Sequence, residues 1–380
     1  VDETKMNEYK SWCKWHPLKT VMLGRSYYPE YFRDVKNSKI QDCLIRIAEE
    51  TEEDLLYFKG ILQSFGCHVI RPKLDIKDNI MDFINDKGQT QQLSRPPLQP
   101  RDAQLVIGDK LVYISKDHPA IMERLKEYSS EYVNLYKDNI PTITNEFRAD
   151  GIGRSTQQEN EKRKWKEAKL APCITTVNKD VYIDIKEIPS RASFQENFPE
   201  LRFHTISIGG HSDGAFHTVG NGKIISIRNI MKYSETFPGW DVCYVKQNSK
   251  SYMRRFWDKK NQIRRGWWLP GEEDNDSFSD FVECWLKDWV GHAQETYVDV
   301  NVLVLDEKHV CVPKYNKDIF EFFAKHDIEP IIVPFRHRCF WDGGLHCMTL
   351  DLYRDGVCID LFPDRTGPIH FKTKMRKRIE

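Results

Sequence analysis

Apolar and polar positions recur along the chain in one arrangement: an apolar run, a turn of Gly, Asn, Asp or Glu, then a second apolar run. The arrangement spans Ala103 to Tyr113, Cys173 to Ile183, Ala215 to Ile225, Val300 to Val312 and Met348 to Ile359. Each copy predicts a β-hairpin, because β-branched residues fill both arms and turn formers separate them. Helix-like stretches lie between copies, such as Ile40 to Phe65 before the first and Asn316 to His326 before the last. No single module of this kind can bury its own apolar face, so a set of about five predicts closure into a ring. The expected fold class is α/β, a five-module pseudo-symmetric α/β propeller with a central active site, formed as a single domain over residues 1–380.

In such a ring the residues just before the first strand of each copy converge on the axis. They are Asp102, Cys173 or a near neighbour, His211 with Asp213, Asp299, and His346 with Cys347. Aspartates, a histidine and a cysteine meeting at one point make a chemical constellation. Two regions interrupt the pattern. Asp150 to Arg163 is polar and reads as a loop or solvated helix, and Lys246 to His292 reads as an insertion. The second carries Trp257, Trp267, Trp268, Trp285 and Trp289 and is expected to pack on the ring or cover the site, its aromatics serving the core.

Composition narrows the partners. Lys+Arg and Asp+Glu both number 57, so no overall field draws in nucleic acid or an anionic membrane. The basic runs at Arg163-Lys164 and Lys372 to Arg378 read as a solvated face and a tail. No stretch approaches the roughly 20 apolar residues of a membrane-spanning helix, and the polar start, Val1 to Lys10, has no signal-peptide apolar core. Ten cysteines without a CxxC pair predict buried, inert thiols in a reducing compartment, the cytoplasm. His337, Cys339, His346 and Cys347 are close in sequence but fit no familiar metal-ligand spacing, so neither metal nor cofactor is expected.

Three glycine- or proline-flanked segments carry the chemistry. In Gly343-Gly344-Leu345-His346-Cys347 the paired glycines permit close backbone approach just before a strand, where a cysteine can face a cleft. In Gly209-Gly210-His211-Ser212-Asp213, His211 suits proton transfer near neutrality, with an ordinary pKa of about 6.5, and Asp213 two residues on reaches the same pocket. In Pro100-Arg101-Asp102 the aspartate holds the equivalent position before the first hairpin.

These segments resemble the arginine:glycine amidinotransferase family, within the guanidino-group modifying superfamily that includes the arginine deiminases. The Gly343 to Asp351 segment is similar to the family's nucleophile motif, His211 to Phe216 to its histidine motif, and Arg101-Asp102 to its first aspartate motif. Asn301 to Lys308 and Trp15 to Arg25 match further, so the resemblance spans most of the chain in the family's order. It implies an α/β propeller acting on small molecules, L-arginine and an amine acceptor such as glycine, without a cofactor. Asp102 and Asp213 would grip the planar guanidinium. Cys347 would attack its carbon, and His211 would serve as acid and base. A hydrolase on the same fold, with water as acceptor, is the alternative chemistry. Propeller edges suit a homodimer.

One element of the family pattern is missing. A third carboxylate normally supports the catalytic histidine near the start of the second hairpin, but Lys169 to Ile174 contains no acid. Glu167 is the nearby candidate to replace it, and the missing acid keeps open a weakened, re-wired or inactive site, the last a lapsed guanidino-binding or structural protein. Arg228, after the third hairpin, is the candidate for a substrate carboxylate.

Overall fold

The computed structural model describes residues 8–75, 95–114, 117–129, 131–135, 171–183, 191–206, 211–246, 267–286, 289–290, 298–341 and 343–369. Glu167, the polar stretch at 150–163, the two basic runs and much of the 246–292 segment lie outside them.

Four of the five expected hairpins form where the apolar pattern puts them. Gln104–Ile107 (β3) pairs antiparallel with Lys110–Tyr113 (β4), and Ile174–Val177 (β6) with Asp180–Ile183 (β7). Phe216–Gly220 (β9) pairs with Lys223–Ser226 (β10), and Leu303–Val304 (β12) with His309–Val312 (β13). The turns of the first three hairpins contain Gly108, Asn178 and Gly222, all at positive φ, as tight hairpin turns demand.

Each hairpin then gains a third strand that the pattern did not reveal. After a helix, a short strand returns to lie parallel to the second arm: Tyr132–Asn134 (β5) on β4, Arg202–Thr205 (β8) on β7, Asp241–Tyr244 (β11) on β10, and Glu329–Ile332 (β14) on β13. The crossover helices are Pro119–Tyr128 (α2), Arg191–Asn197 (α3), Tyr233–Thr236 (α4) and Lys317–Lys325 (α6). A parallel return needs such a crossover, so the unit is strand, strand, helix, strand.

The fifth hairpin is a correction. Thr349–Arg354 (β15) is a strand, but the residues after Asp355-Gly356 do not turn back onto it. Its antiparallel partner is Leu18–Leu23 (β1), from the other end of the chain, and His68–Ile70 (β2) completes the sheet parallel to β1. The fifth unit is thus assembled from both ends of the chain with the same order as the other four. Its crossover is Ser38–Ser64 (α1), whose buried Leu44, Ile47, Leu55, Phe58 and Leu62 recur at helical spacing along one face. The Asn37 side chain accepts from Lys39 N–H and caps the helix start.

The architecture among the described residues is therefore a mixed α/β fold of five separate three-stranded sheets. Of the tryptophan-rich segment, Trp267 and Trp289 are buried with Phe278, Phe340 and Trp341 in the largest apolar cluster. Asp276–Trp285 (α5) packs there against α1. Trp285 and Phe281 pack at the edge of this cluster, while the half-buried Trp268 donates through Nε1 to Glu273 Oε1 at 2.9 Å. No described helix is long and apolar enough to cross a membrane.

Candidate active site

Cys347 sits in a single turn, Leu345 to Met348, immediately before β15. Met348 N–H donates to the Gly344 carbonyl and Thr349 N–H to that of His346, so the turn is closed like the first turn of a helix. Its backbone passes close to itself: a Cβ added at Gly343 would lie 3.0 Å from Cys347 Cβ and 2.7 Å from Gln99 Nε2. The turn is anchored from behind by Arg338–Trp341 (α7), where Trp341 Nε1 donates to Thr51 Oγ1 on α1 at 2.8 Å. Close by, His337 Nε2 meets Glu50 Oε2 at 2.6 Å. His337 is thereby engaged in holding α1, and among the described residues no group of His, Cys, Asp and Glu is arranged to hold a metal.

Asn301, just before β12, completes the turn. Its Oδ1 accepts the backbone N–H groups of His346 (3.0 Å) and Cys347 (3.2 Å), and its Nδ2 donates to Cys347 Sγ at 3.0 Å. One side chain thus caps the turn and polarises the thiol. All ten cysteines are free thiols. Burial pushes the thiols of Cys13 and Cys43 up to about 12, which makes them inert.

Asp213 lies on the other side of the thiol, its Oδ2 3.5 Å from Cys347 Sγ and 2.7 Å from His346 Nδ1. Burial alone would raise its carboxyl. The hydrogen bond from His346, with the charges of His211 and Arg101, instead holds it below the usual carboxylate range. Burial and the neighbouring Arg101 push His346 down to about 3, against the pull of Asp213. The imidazole is neutral, and its Nδ1–H donates to the carboxylate. His217 on β9 stacks edge-on against it at 4.7 Å and is also held well below its ordinary range, chiefly by burial.

His211 precedes the short turn Ser212–Gly214 and is half-buried. It is among the groups that lower the carboxyls of both Asp102 and Asp213, so it lies within electrostatic reach of each. Asp102, before β3, is buried, and burial raises its carboxyl while Arg95 and His211 oppose the rise. Arg95 Nη1 donates to Asp102 Oδ2 at 2.9 Å.

Of the expected residues, Asp213 lies beside Cys347, and His211 lies within electrostatic reach of both Asp102 and Asp213. Asp299 does not join them. Its carboxylate accepts from Asn316 Nδ2 at 2.9 Å and pairs with Lys314 at 3.2 Å, while Asn301 two residues on reaches the thiol. Ala171–Cys173, where the family's third acid is expected, forms a short turn packed against Ser212–Gly214 and presents no carboxylate there. Arg228 lies beyond β10 with an exposed side chain.

The buried cation of the site is Arg101 instead. Its Nε donates to the His346 carbonyl at 3.1 Å and its Nη2 to Asp351 Oδ1 at 2.6 Å. Asp351 also accepts from Arg354 Nε at 2.7 Å and faces Lys14 Nζ at 3.6 Å, and these cations hold it well below the carboxylate range despite burial. Lys14 is lowered to about 7 by burial and by Arg101. A cavity of about 20 Å³ behind the site is lined by Lys14, Arg101, Asp213, His217, Thr218 and His346.

Likeness to known proteins runs along almost the whole chain. A glycine amidinotransferase, mitochondrial, of Xenopus laevis is 21% identical over 93% of this chain and 84% of its own length. An L-arginine:L-lysine amidinotransferase of Pseudomonas savastanoi pv. phaseolicola is 19% identical over 90% of this chain and 88% of its own. Among solved structures, SxtG, an amidinotransferase of the saxitoxin biosynthetic pathway from Microseira wollei, aligns with a TM-score of 0.60 at 18% identity, covering 93% of this chain and 99% of that one. No protein-family model matches the chain. The protein is an enzyme of the amidinotransferase class. The relatives it matches along most of its length are amidinotransferases.

Proposed function

We propose that this enzyme moves the amidino group of L-arginine to an amine acceptor through a covalent amidino-cysteine on Cys347. The observation that carries the reading is the thiol itself, held at 3.0 Å by Asn301 and 3.5 Å from Asp213, a carboxylate on which His211 also acts. A guanidinium is planar and cationic, so the carboxylates of Asp102 and Asp213 suit its N–H edges and orient its carbon toward the sulfur. The Cys347 thiolate attacks that carbon, and the bond to the ornithine nitrogen breaks as His211 donates a proton to the departing amine. The acceptor amine then attacks the same carbon, His211 removes its proton, and the S–C bond breaks to free the thiolate.

The reading includes a five-module propeller with the site on its axis, a single domain over residues 1–380 and the 246–292 segment as an insertion. The repeated sheet order supports the first of these. Glycine is the proposed acceptor, or a related amine, since the relatives' names include both glycine and L-lysine. Arg228 is kept as a candidate for a substrate carboxylate and Glu167 as a candidate orienting acid. The acid-free Ala171–Cys173 turn favours a second reading, a site whose catalytic histidine is weakly supported or no longer active.

The test is incubation with L-arginine, with and without glycine or L-lysine, beside Cys347→Ala. Ornithine that requires an amine and vanishes in the variant supports transfer through Cys347. Citrulline or urea would move the enzyme to hydrolysis. No turnover and no adduct on Cys347 would favour the lapsed site.

A further inference from the structure

The carboxylate assigned above to the donor already carries a guanidinium. Arg95 Nη1 donates to Asp102 Oδ2 at 2.9 Å, and Arg95 Nη2 donates to the Trp341 carbonyl at 3.2 Å. Both side chains are largely withdrawn from solvent, 15% exposed for Arg95 and 12% for Asp102. The Trp341 carbonyl also receives Gln99 Nε2 at 3.1 Å, so Arg95 joins the loop before β3 to the segment leading into the Cys347 turn.

We propose that Arg95 is an internal competitor for the donor site, a specificity-determining residue whose guanidinium occupies Asp102 until a substrate guanidinium displaces it. This rests on Asp102 being a donor-binding carboxylate. Two physical arguments support it. A buried carboxylate without a cation is costly, so an empty site needs a counter-charge, and Arg95 supplies it. The competing groups are also chemically identical, so the donor must break one guanidinium–carboxylate pair to form another. Apparent donor affinity is then reduced by the fraction of sites in which Arg95 is displaced. Arg95 engages Asp102 through one nitrogen on one oxygen rather than as a two-point fork, which suits an occupant that can be exchanged.

Competition of this kind makes the site selective. A donor gains net binding only if the rest of the molecule contributes contacts that Arg95 cannot match. A bare guanidinium ion gains nothing over the side chain already there. The Arg95→Gln variant should therefore bind L-arginine more tightly than the parent, and guanidinium ion should become a measurable ligand.

The experiment is titration calorimetry with L-arginine in a Cys347→Ser background, which prevents turnover, on the full chain. Arg95→Gln, Arg95→Lys, Asp102→Asn and the Arg95→Gln/Asp102→Asn combination are compared. The expected result is about tenfold tighter binding in Arg95→Gln, near-parental binding in Arg95→Lys, and weaker binding in Asp102→Asn. Removing Arg95 should add nothing once Asp102 is neutral, since the two effects act through one pair. Unchanged or weaker binding in Arg95→Gln, with Asp102→Asn still weaker, overturns the competitor and leaves the donor site standing. Unchanged binding in Asp102→Asn, or no arginine binding in any background, overturns the donor-site reading and the competitor with it. If Arg95→Gln fails to fold, Arg95→Lys decides: retained folding with weaker arginine binding would mean that Arg95 grips the donor rather than competes.

Discussion

Asn301 holds Cys347 at two points, accepting its backbone N–H at 3.2 Å through Oδ1 and donating to its sulfur at 3.0 Å through Nδ2. A donor aimed at sulfur stabilises the thiolate over the thiol. Losing a hydrogen bond to a charged group costs roughly 1.5–3 kcal/mol, or about 10- to 100-fold in rate if it acts on the reacting state. Asn301→Ala should slow alkylation of Cys347 by iodoacetamide at pH 7 by that factor and shift its pH profile upward. Asn301→Asp keeps the acceptor but replaces the donor with a carboxylate, and should slow it further. Identical profiles in all three proteins would show that the contact does not tune the thiol.

Asp351 joins three cations from separate parts of the chain. Arg101 comes from the loop before β3, Arg354 from β15 and Lys14 from the segment before β1. Arg354 in turn donates to the carbonyls of His16 and Val304. Removing one partner from such a buried cluster leaves uncompensated charge, which costs about 3–5 kcal/mol. Asp351→Asn should lose about that much stability to urea, and the Cys347 turn should loosen because Arg101 also holds the His346 carbonyl. A loss under about 1 kcal/mol, the range of an exposed ion pair, would contradict it.

His346 predicts how acid acts on the fold. Its imidazole titrates near 6.5 when unfolded and is lowered to about 3 in the folded protein by burial and Arg101. Between those values the unfolded chain binds a proton that the native protein refuses. Stability is then fully present above pH 6.5 and falls as the pH drops toward 3, by up to roughly 1.4 kcal/mol per pH unit. Asp213 adds a later loss, because its carboxyl is held below the usual range and must be protonated on unfolding in strong acid. His346→Gln should remove the first part, flattening the slope of unfolding free energy between pH 4 and 6.5 by up to one proton. Equal slopes in parent and variant would mean that His346 takes up its proton in the native state.

What could be read from the chain was local. Four hairpins carry their own turn chemistry, and the long helix carries its own period, so both were legible in short windows. The third strand of each sheet is short, three or four residues, and pairs across a helix, leaving little pattern to read. Asp355-Gly356 looks like a hairpin turn, yet β15 pairs with a strand more than three hundred residues away. Gly356 instead packs so closely on the His16 ring that a side chain there would collide with it. In the site, residues flanked by glycines or proline stood out. Asn301 stood out only as the start of a matching segment and Arg95 not at all, because an amide or a guanidinium in a loop has no distinctive spacing; only the fold shows what each one touches. Arg101 and His346 lay inside the motif segments, His346 expected at the axis with Cys347, but the contacts each one makes show only in the fold.

The closure of the fifth sheet by β1 makes the start of the chain a structural member of the nucleophile's support. Gly24 N–H donates to the Met348 carbonyl, one residue beyond Cys347, and Leu23 stands opposite Thr349 at the start of β15. Val21, Met22 and Leu23 have no solvent exposure, whereas Lys19 on the same strand is exposed. Leu23→Ala leaves a cavity beneath the strand that follows Cys347, which should cost about 2–5 kcal/mol. Lys19→Ala should stay within about 0.5 kcal/mol. Urea unfolding gives the two values directly, and the alkylation rate of Cys347 gives the local effect. Leu23→Ala should raise that rate at denaturant concentrations well below the global midpoint, because loosening β1 frees β15 before the other sheets open. Equal stability losses in the two variants, or a thiol that stays protected until global unfolding, would mean that the sheet built from both chain ends does not open ahead of the rest.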